Sequence, residues 1–449
     1  MRFDVAGRGS TVGREALGGL STFLALSYIL FVQPGLLAQA GMDARAVFYG
    51  TCLASALATL LMALIANYPI ALAPGMGENF FFVYTLCAAA PLGFGFTWPQ
   101  ALAATFLAGV VFMGLAVFGL RERVVNSMPA SLKAGIAAGI GLFITFIGLQ
   151  YGNLIVPHPG TLVSLGNIRH PAALVTIVGL LVAITLVARR IRGALLAGIL
   201  AATAAALALG LVRCHGVVST DFRLSPVLFR LDFAGLFGRP AAAVATGIFI
   251  LFFLALFDTV GTLVGLAQQA GMLKEGRVPD AERALFADAA GSAAGACLGS
   301  TTITCYIESA AGIGEGARTG LANLVTAALF LAAMLFSPLV SMIGGGVVAG
   351  NDAAGHPIIR YPTIAPALIL VGSMMLRTVT EIDWQEPTEF IPAFLTLVGI
   401  PLTFSISTGV ALGVITYAVA KLVTGRARQC PALVYIFAAL FIVMLVLPH

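Results

Sequence analysis

Apolar stretches of about twenty residues recur along this chain, each long enough to cross a bilayer as a helix. Hydropathy places them near 17–38, 46–67, 70–90, 97–120, 132–151, 171–190 and 193–213. After a loop they resume near 243–267, 283–299, 300–316, 319–343, 363–379, 389–404, 408–424 and 431–447. Composition agrees, since 59% of the 449 residues are hydrophobic and 10% charged. A soluble domain carries roughly 45–50% apolar and about 25% charged residues. So little charge cannot cover a water-facing surface of this size, which argues against a soluble enzyme or a disordered chain. The six cysteines form no CxxC pair and lie mostly in apolar segments, which argues against a secreted disulfide scaffold. The reading is an all-α polytopic protein of the cell membrane.

The net charge of +5 is not a nucleic-acid groove. Arg2, Arg8 and Arg14 precede the first span. Arg121, Arg123 and Lys133 form a second cluster, Arg189, Arg190 and Arg192 a third, and Lys274, Arg277 and Arg283 a fourth. Clusters in alternate short loops are the positive-inside pattern, and they predict a cytoplasmic N-terminus over 1–16. No cleavable signal peptide is expected, because the first apolar run is too long for an h-region.

An internal repeat is the next constraint. Residues 23–42 read FLALSYILFVQPGLLAQAGM and residues 253–272 read FLALFDTVGTLVGLAQQAGM, identical at ten of twenty positions without a gap. Arg45, Ala46, Val47 and Phe48 are then echoed by Arg283, Ala284, Leu285 and Phe286. Seven spans separate the two copies, so the second enters from the opposite side of the membrane. Inverted repeats of this kind are a transporter architecture with the site near the midplane. The expected division is a first repeat over 17–213, a connecting loop over 214–242 and a second repeat over 243–449. Equal halves require fourteen spans, which is reached by reading 389–424, interrupted by Pro401 and Ser/Thr residues, as one broken element.

Two segments in matching places are irregular. The third contains YPIALAPGMGENFFF (68–82) and its counterpart GSTTITCYIESAAGIGEG (299–316). Each opens with a short β-compatible stretch and turns helical at a Gly/Pro or Ser/Thr break. Broken backbone at membrane depth survives only where protein or a water-filled cavity satisfies it, and paired breaks point to a binding site.

Ionisable groups inside spans are costly and functional by default. Asp258 lies deep in the eighth segment and Glu308 just after the strand of the tenth, and both are read as substrate or proton ligands. Glu78 and Asp288 are balanced between that role and a helix end or loop. Ionised carboxylates only accept hydrogen bonds, so they select a ligand rich in N–H donors. Phe80, Phe81, Phe82 and Tyr84 flank Asn79, and Tyr28 aligns with Asp258 in the repeat; a flat heteroaromatic ligand can stack on one such ring. No HExxH, GxSxG, P-loop or Cys/His metal spacing occurs, so neither an enzyme nor a cofactor is expected. The five histidines fall in loops or at the terminus, and the acidic stretch 381–389 reads as a solvated connector.

At PGMGENFFFVYT (74–85), LFDTVGTLVG (256–265), TTITCYIESAAGIGEGARTGL (301–321) and EIDWQEPTEFIPAFLT (381–396) the chain resembles a known family. It is that of the nucleobase–cation symporters (nucleobase/ascorbate transporters), in the AzgA-like purine permease subgroup. The resemblance implies two inverted seven-helix repeats, with core helices 1–4 and 8–11 and gate helices 5–7 and 12–14. It also implies proton-coupled uptake of hypoxanthine, guanine or adenine by movement of core against gate. Asp258 and Glu308 match the family's paired acidic ligands, Asn79 its polar residue on helix 3, and Thr262 a further polar site position. Glu78 departs from the family motif, where an apolar or small residue is usual. The implied partners are a purine nucleobase, a proton and the lipid bilayer, with a homodimer as a candidate assembly and no nucleic acid. The alternative within the same fold is a transporter of xanthine/uric acid, uracil, an anion or another small solute. A channel would need a continuous polar face, whereas the polar groups here cluster at two breaks.

Overall fold

With no water in the hydrocarbon region, the backbone of each apolar stretch must satisfy itself, and helices form almost throughout. The computed structural model describes residues 3–89, 93–117, 129–214, 216–272, 278–351 and 357–446. Arg2, Arg121, Arg123, His215, Lys274, Arg277, His356 and His449 lie outside the described residues.

In the first half the helices are α1 (Val12–Leu26), α2 (Ile29–Leu37), α3 (Ala44–Leu61), α4 (Met76–Phe81), α5 (Trp98–Val117), α6 (Ala130–Tyr151), α7 (Pro171–Ala188) and α8 (Ala194–Ala208). A short α9 (Phe233–Phe237) lies in the connection. The second half contributes α10 (Ala241–Gln269), α11 (Ala281–Cys297), α12 (Ala310–Gly314), α13 (Leu321–Ala333), α14 (Ser337–Gly344), α15 (Ala365–Met375), α16 (Pro387–Thr403), α17 (Ile406–Val423) and α18 (Ala432–Val446). Among the described residues, eight helical stretches are long and apolar enough to span a bilayer alone. Short hairpins, β2 (Ile155–His158) with β3 (Leu162–Leu165) and β5 (Val347–Asn351) with β6 (Pro357–Arg360), extend the connections.

Packing gathers the helices into two groups. α1 packs on α12 and α13, α3 on α11 and α13, and α5 on α10 and α11. In the other group α6 packs on α15 and α16, α7 on α8, and α16 on α17. Close approach inside the first group depends on glycine: a Cβ added to Gly50 would lie 2.2 Å from Leu298 O, and one added to Gly19 2.3 Å from Ala322 O.

The pair expected to form one broken element is a correction. α16 and α17 are separate helices folded back antiparallel, because Phe404 turns the chain at φ +54° and the Ser405 hydroxyl caps α17 through Thr408 N. Their far ends meet where Lys421 Nζ lies 2.9 Å from Glu389 Oε1 and 2.8 Å from Thr388 Oγ1. The connector is therefore not merely solvated. Glu386 caps α16 through Thr388 N and pairs with Arg426 at 2.8 Å.

Loop contacts sort the two ends of the bundle. At one end Arg8 Nη1 donates to Asn67 O at 2.9 Å, Arg318 N donates to Glu15 Oε1 at 2.9 Å, Arg192 pairs with Glu315, and Tyr68 bonds Pro279 O. At the other, Tyr49 donates to Asp221 O at 2.8 Å, Phe229 N to Cys297 O at 2.7 Å and Tyr361 N to Tyr151 O at 3.1 Å.

Candidate functional site

Two three-residue strands, β1 (Leu72–Pro74) and β4 (Ile303–Cys305), cross between the helices as an antiparallel pair, Leu72 opposite Cys305 and Pro74 opposite Ile303. Among the described residues neither has another strand beside it, and helix hydroxyls satisfy the free edges. Thr59 of α3 donates to Leu72 O and accepts from Leu72 N, both at 3.0 Å. Ser292 of α11 does the same for Ile303, at 2.8 and 2.9 Å. Beyond each strand the chain turns helical, into α4 on one side and through Ile307–Ser309 into α12 on the other.

This crossing brings the acidic groups into one region. Glu308, in the turn after β4, is half-buried and accepts from the Tyr28 hydroxyl at 3.0 Å. Tyr28 reaches it because it sits in the break between α1 and α2. Asp258 is an electrostatic neighbour of both Glu308 and Glu78. It lies mid-way along α10 and is exposed, although residues 251–256 before it are buried. Thr262 stands one turn further on and is half-buried. Gly261, Gly265, Gln268 and Gln269 continue the exposed stripe to the end of α10. A Cβ added at Gly261 or Gly265 would meet no atom within 4 Å, so the stripe borders open space. A carboxylate is costly against acyl chains, which makes this stripe the wall of a crevice. The neighbouring Ile307 is 66% exposed.

The stripe runs toward the end of the bundle that carries Arg8 and Pro279, where α10 finishes. The opposite end is shut. There Tyr84 Oη lies 2.8 Å from both Gln39 Oε1 and Tyr151 Oη, and Gln39 Nε2 bonds Tyr151 as well. Phe143 and Phe404 meet edge-on at 5.0 Å, and Tyr84 meets Phe404 at 5.3 Å, so rings from both packing groups interlock below this lock.

The structure thus brings Tyr28, Asp258 and Glu308 together, with Thr262 along the same wall. Asn79 is fully buried, its Oδ1 accepting from Thr301, whose hydroxyl also receives Gln33 Nε2 at 3.2 Å. Phe80, expected to offer a ring face, is enclosed instead: it stacks on Tyr84 at 5.9 Å and meets Phe143 edge-on at 6.1 Å. Sequence reasoning passed over Thr59, Ser292, Thr301, Gln33 and Thr259, the last donating to Asp288 Oδ2 at 2.9 Å. Only the place of Thr59 and Ser292, shortly before each strand, marked them out.

Residues 13–412 match the profile of a family described as the Permease family. The chain belongs to this family. The permease is therefore a multi-pass membrane transporter and not an enzyme, as the four motifs implied. It is 43% identical over 441 residues to a putative permease, MJ0326, of Methanocaldococcus jannaschii, covering 98% of this chain and 96% of that one. It is 38% identical to the guanine/hypoxanthine permease PbuO of Bacillus subtilis, covering 99% of each chain. With the adenine permease AdeP of Escherichia coli it shares 39%, covering 99% of this chain and 95% of the other. Among solved structures it is similar in fold to the transmembrane domain of a cyanobacterium bicarbonate transporter, BicA. That match has a TM-score of 0.63 at 15% identity and covers 89% of this permease and 97% of the other chain. The anion transporter family member SLC26A9 matches with a TM-score of 0.62 at 13% identity, covering 91% of this chain and 65% of that one.

Proposed function

We propose that this permease takes up purine nucleobases (hypoxanthine, guanine or adenine) together with protons, by movement of one packing group against the other. The observation that carries the reading is the juxtaposition of Asp258 and Glu308 at the head of a crevice closed at its far end. Acceptor-only carboxylates suit the N–H edge of a purine, and a carboxyl sheltered from water can hold a proton near neutral pH. The names of the guanine/hypoxanthine and adenine permeases it resembles support the substrate class. Bicarbonate is a poorer fit, since an anion would meet two carboxyl groups here.

The same reading takes the chain as two inverted sets of seven, core helices 1–4 and 8–11 with gate helices 5–7 and 12–14, over 17–213 and 243–423. Support comes from the matched roles of Thr59 and Ser292, and from loop contacts that pair only ends expected on one side. In this arrangement α16 and α17 supply the last two crossings, and α18 is an addition to the repeat.

Proteoliposomes loaded with the purified protein test the function. Radiolabelled hypoxanthine, guanine or adenine should accumulate under an inward proton gradient, and a protonophore should abolish it. One proton draws about 2.3 kcal/mol from 100 mV, enough for useful accumulation. Uptake that follows a sodium gradient and ignores pH overturns the proton coupling.

A further inference from the structure

Glu78 is one position at which this chain departs from the motif it resembles, and its surroundings are unusual. The side chain is 2% exposed, and beyond the backbone N–H of its own residue neither carboxyl oxygen has a donor. It fills the space over Gly75: a Cβ added there would lie 2.2 Å from Glu78 Oε2 and 2.8 Å from Thr304 Oγ1. The Thr304 hydroxyl is itself buried and turned to Asp258, and Asp288 Oδ1 is buried without a partner.

The groups that face Glu78 are acidic or neutral. α10 presents Asp258 and α11 presents Asp288, both acting on Glu78 electrostatically. The β4 segment presents Thr304 and Tyr306, whose hydroxyl is committed to Pro74 O at 2.5 Å. Tyr28, between α1 and α2, is committed to Glu308. From α6, Ile140 packs against neighbouring Gly77, and Lys133, two turns before it, lies 5.5 Å from the ring of Phe257. Among the described residues Glu78 takes part in no ion pair. An ionised carboxylate buried without a cation or a further donor costs several kcal/mol, whereas the protonated acid needs only an acceptor.

We propose that Glu78 is a second proton-binding site of the transport cycle, behind the crossed strands and coupled to Asp258. Resting on the symport reading above, this makes the stoichiometry two protons per nucleobase. Both carboxyls take up a proton on the outer side with the nucleobase, and both give it up when the pocket opens to water on the inner side.

The test is accumulation at equilibrium in proteoliposomes with voltage clamped to zero. Each tenfold proton gradient contributes about 1.4 kcal/mol per proton, so two protons give about hundredfold accumulation and one gives about tenfold. Wild type should follow the first slope, and Glu78→Gln and Glu78→Leu the second. The two variants differ in polarity, so at least one should fold. An unchanged slope in the variants overturns the proposal, and so does a wild-type slope of one proton or a dependence on sodium. If wild type accumulates no nucleobase, the symport reading fails instead. Infrared absorption of an un-ionised buried carboxyl, present in wild type at neutral pH and lost in Glu78→Gln, then decides whether Glu78 holds a proton. Absence of that band also overturns the proposal.

Discussion

Thr59 and Ser292 are counterparts: each hydroxyl binds both the N–H and the C=O of the residue that opens a strand, Leu72 in one case and Ile303 in the other. Thr59→Val and Ser292→Ala should each leave a buried N–H and C=O unpaired, at about 1–3 kcal/mol per group. Detergent-solubilised protein should melt several degrees lower, while Thr59→Ser melts as wild type. Melting of Thr59→Val at the wild-type temperature would show the strands to be held by something else.

Asp258→Asn and Glu308→Gln should each abolish concentrative uptake while protein remains in the membrane. Loss of a charge-assisted hydrogen bond is worth about 1.5–3 kcal/mol, so nucleobase affinity should fall roughly 10- to 150-fold. Tyr28→Phe removes a single donor to Glu308 and should cost roughly 5-fold, about 1 kcal/mol. Equilibrium binding of labelled hypoxanthine ranks the three, and a Tyr28→Phe loss as deep as that of Glu308→Gln would contradict the order.

The α16–α17 hairpin should be acid-sensitive at its mouth. Arg426, with help from Thr388, lowers the Glu386 carboxyl from 4.5 to about 2. A depressed folded value means the contribution is full above pH 4.5 and drains away as pH falls toward 2. Wild type should therefore lose melting temperature faster than Glu386→Gln across that window. Parallel curves would mean the ion pair contributes nothing.

The lock among Gln39, Tyr84 and Tyr151 should favour the state open at the Arg8 end. With the native cysteines replaced, Gly261→Cys should react with an impermeant maleimide from the cytoplasmic side only. Adding Tyr151→Phe removes bonds worth about 1 kcal/mol each and should slow that labelling several-fold. Labelling from the outside in the parent would reverse the orientation of the crevice.

Much of the architecture was legible because long apolar runs and their breaks are strong signals. The runs near 46–67, 132–151 and 243–267 became α3 with its extension, α6 and α10 within a few residues, and the break at Pro74–Gly75 became a strand end. The break at Ser27–Tyr28 went unseen, because both residues are compatible with a continuing helix. Pro401 misled in the other direction: it lies inside α16, and the turn comes at Phe404, whose positive φ leaves no mark in composition. Asp258 and Glu308 stood out as charges among apolar residues. Their partners did not, since a Thr or Tyr in an apolar helix carries no sign of which way it faces. Glu389 and Lys421 looked like surface charge because they are distant in sequence, and only the hairpin pairs them, with Lys421 buried and Glu389 half-buried.

The vacant space beside Gly261 and Gly265 bears on how such a carrier can diversify. Most helical glycines in this bundle are wedged against a neighbouring backbone, so enlarging them strains the fold. These two are not, and an alanine in a helix is better by about 0.5–1 kcal/mol than glycine. Side chains added there narrow the passage below Asp258 at no structural cost. Preference among larger and smaller ligands is free to drift at these positions while folding stays under separate selection.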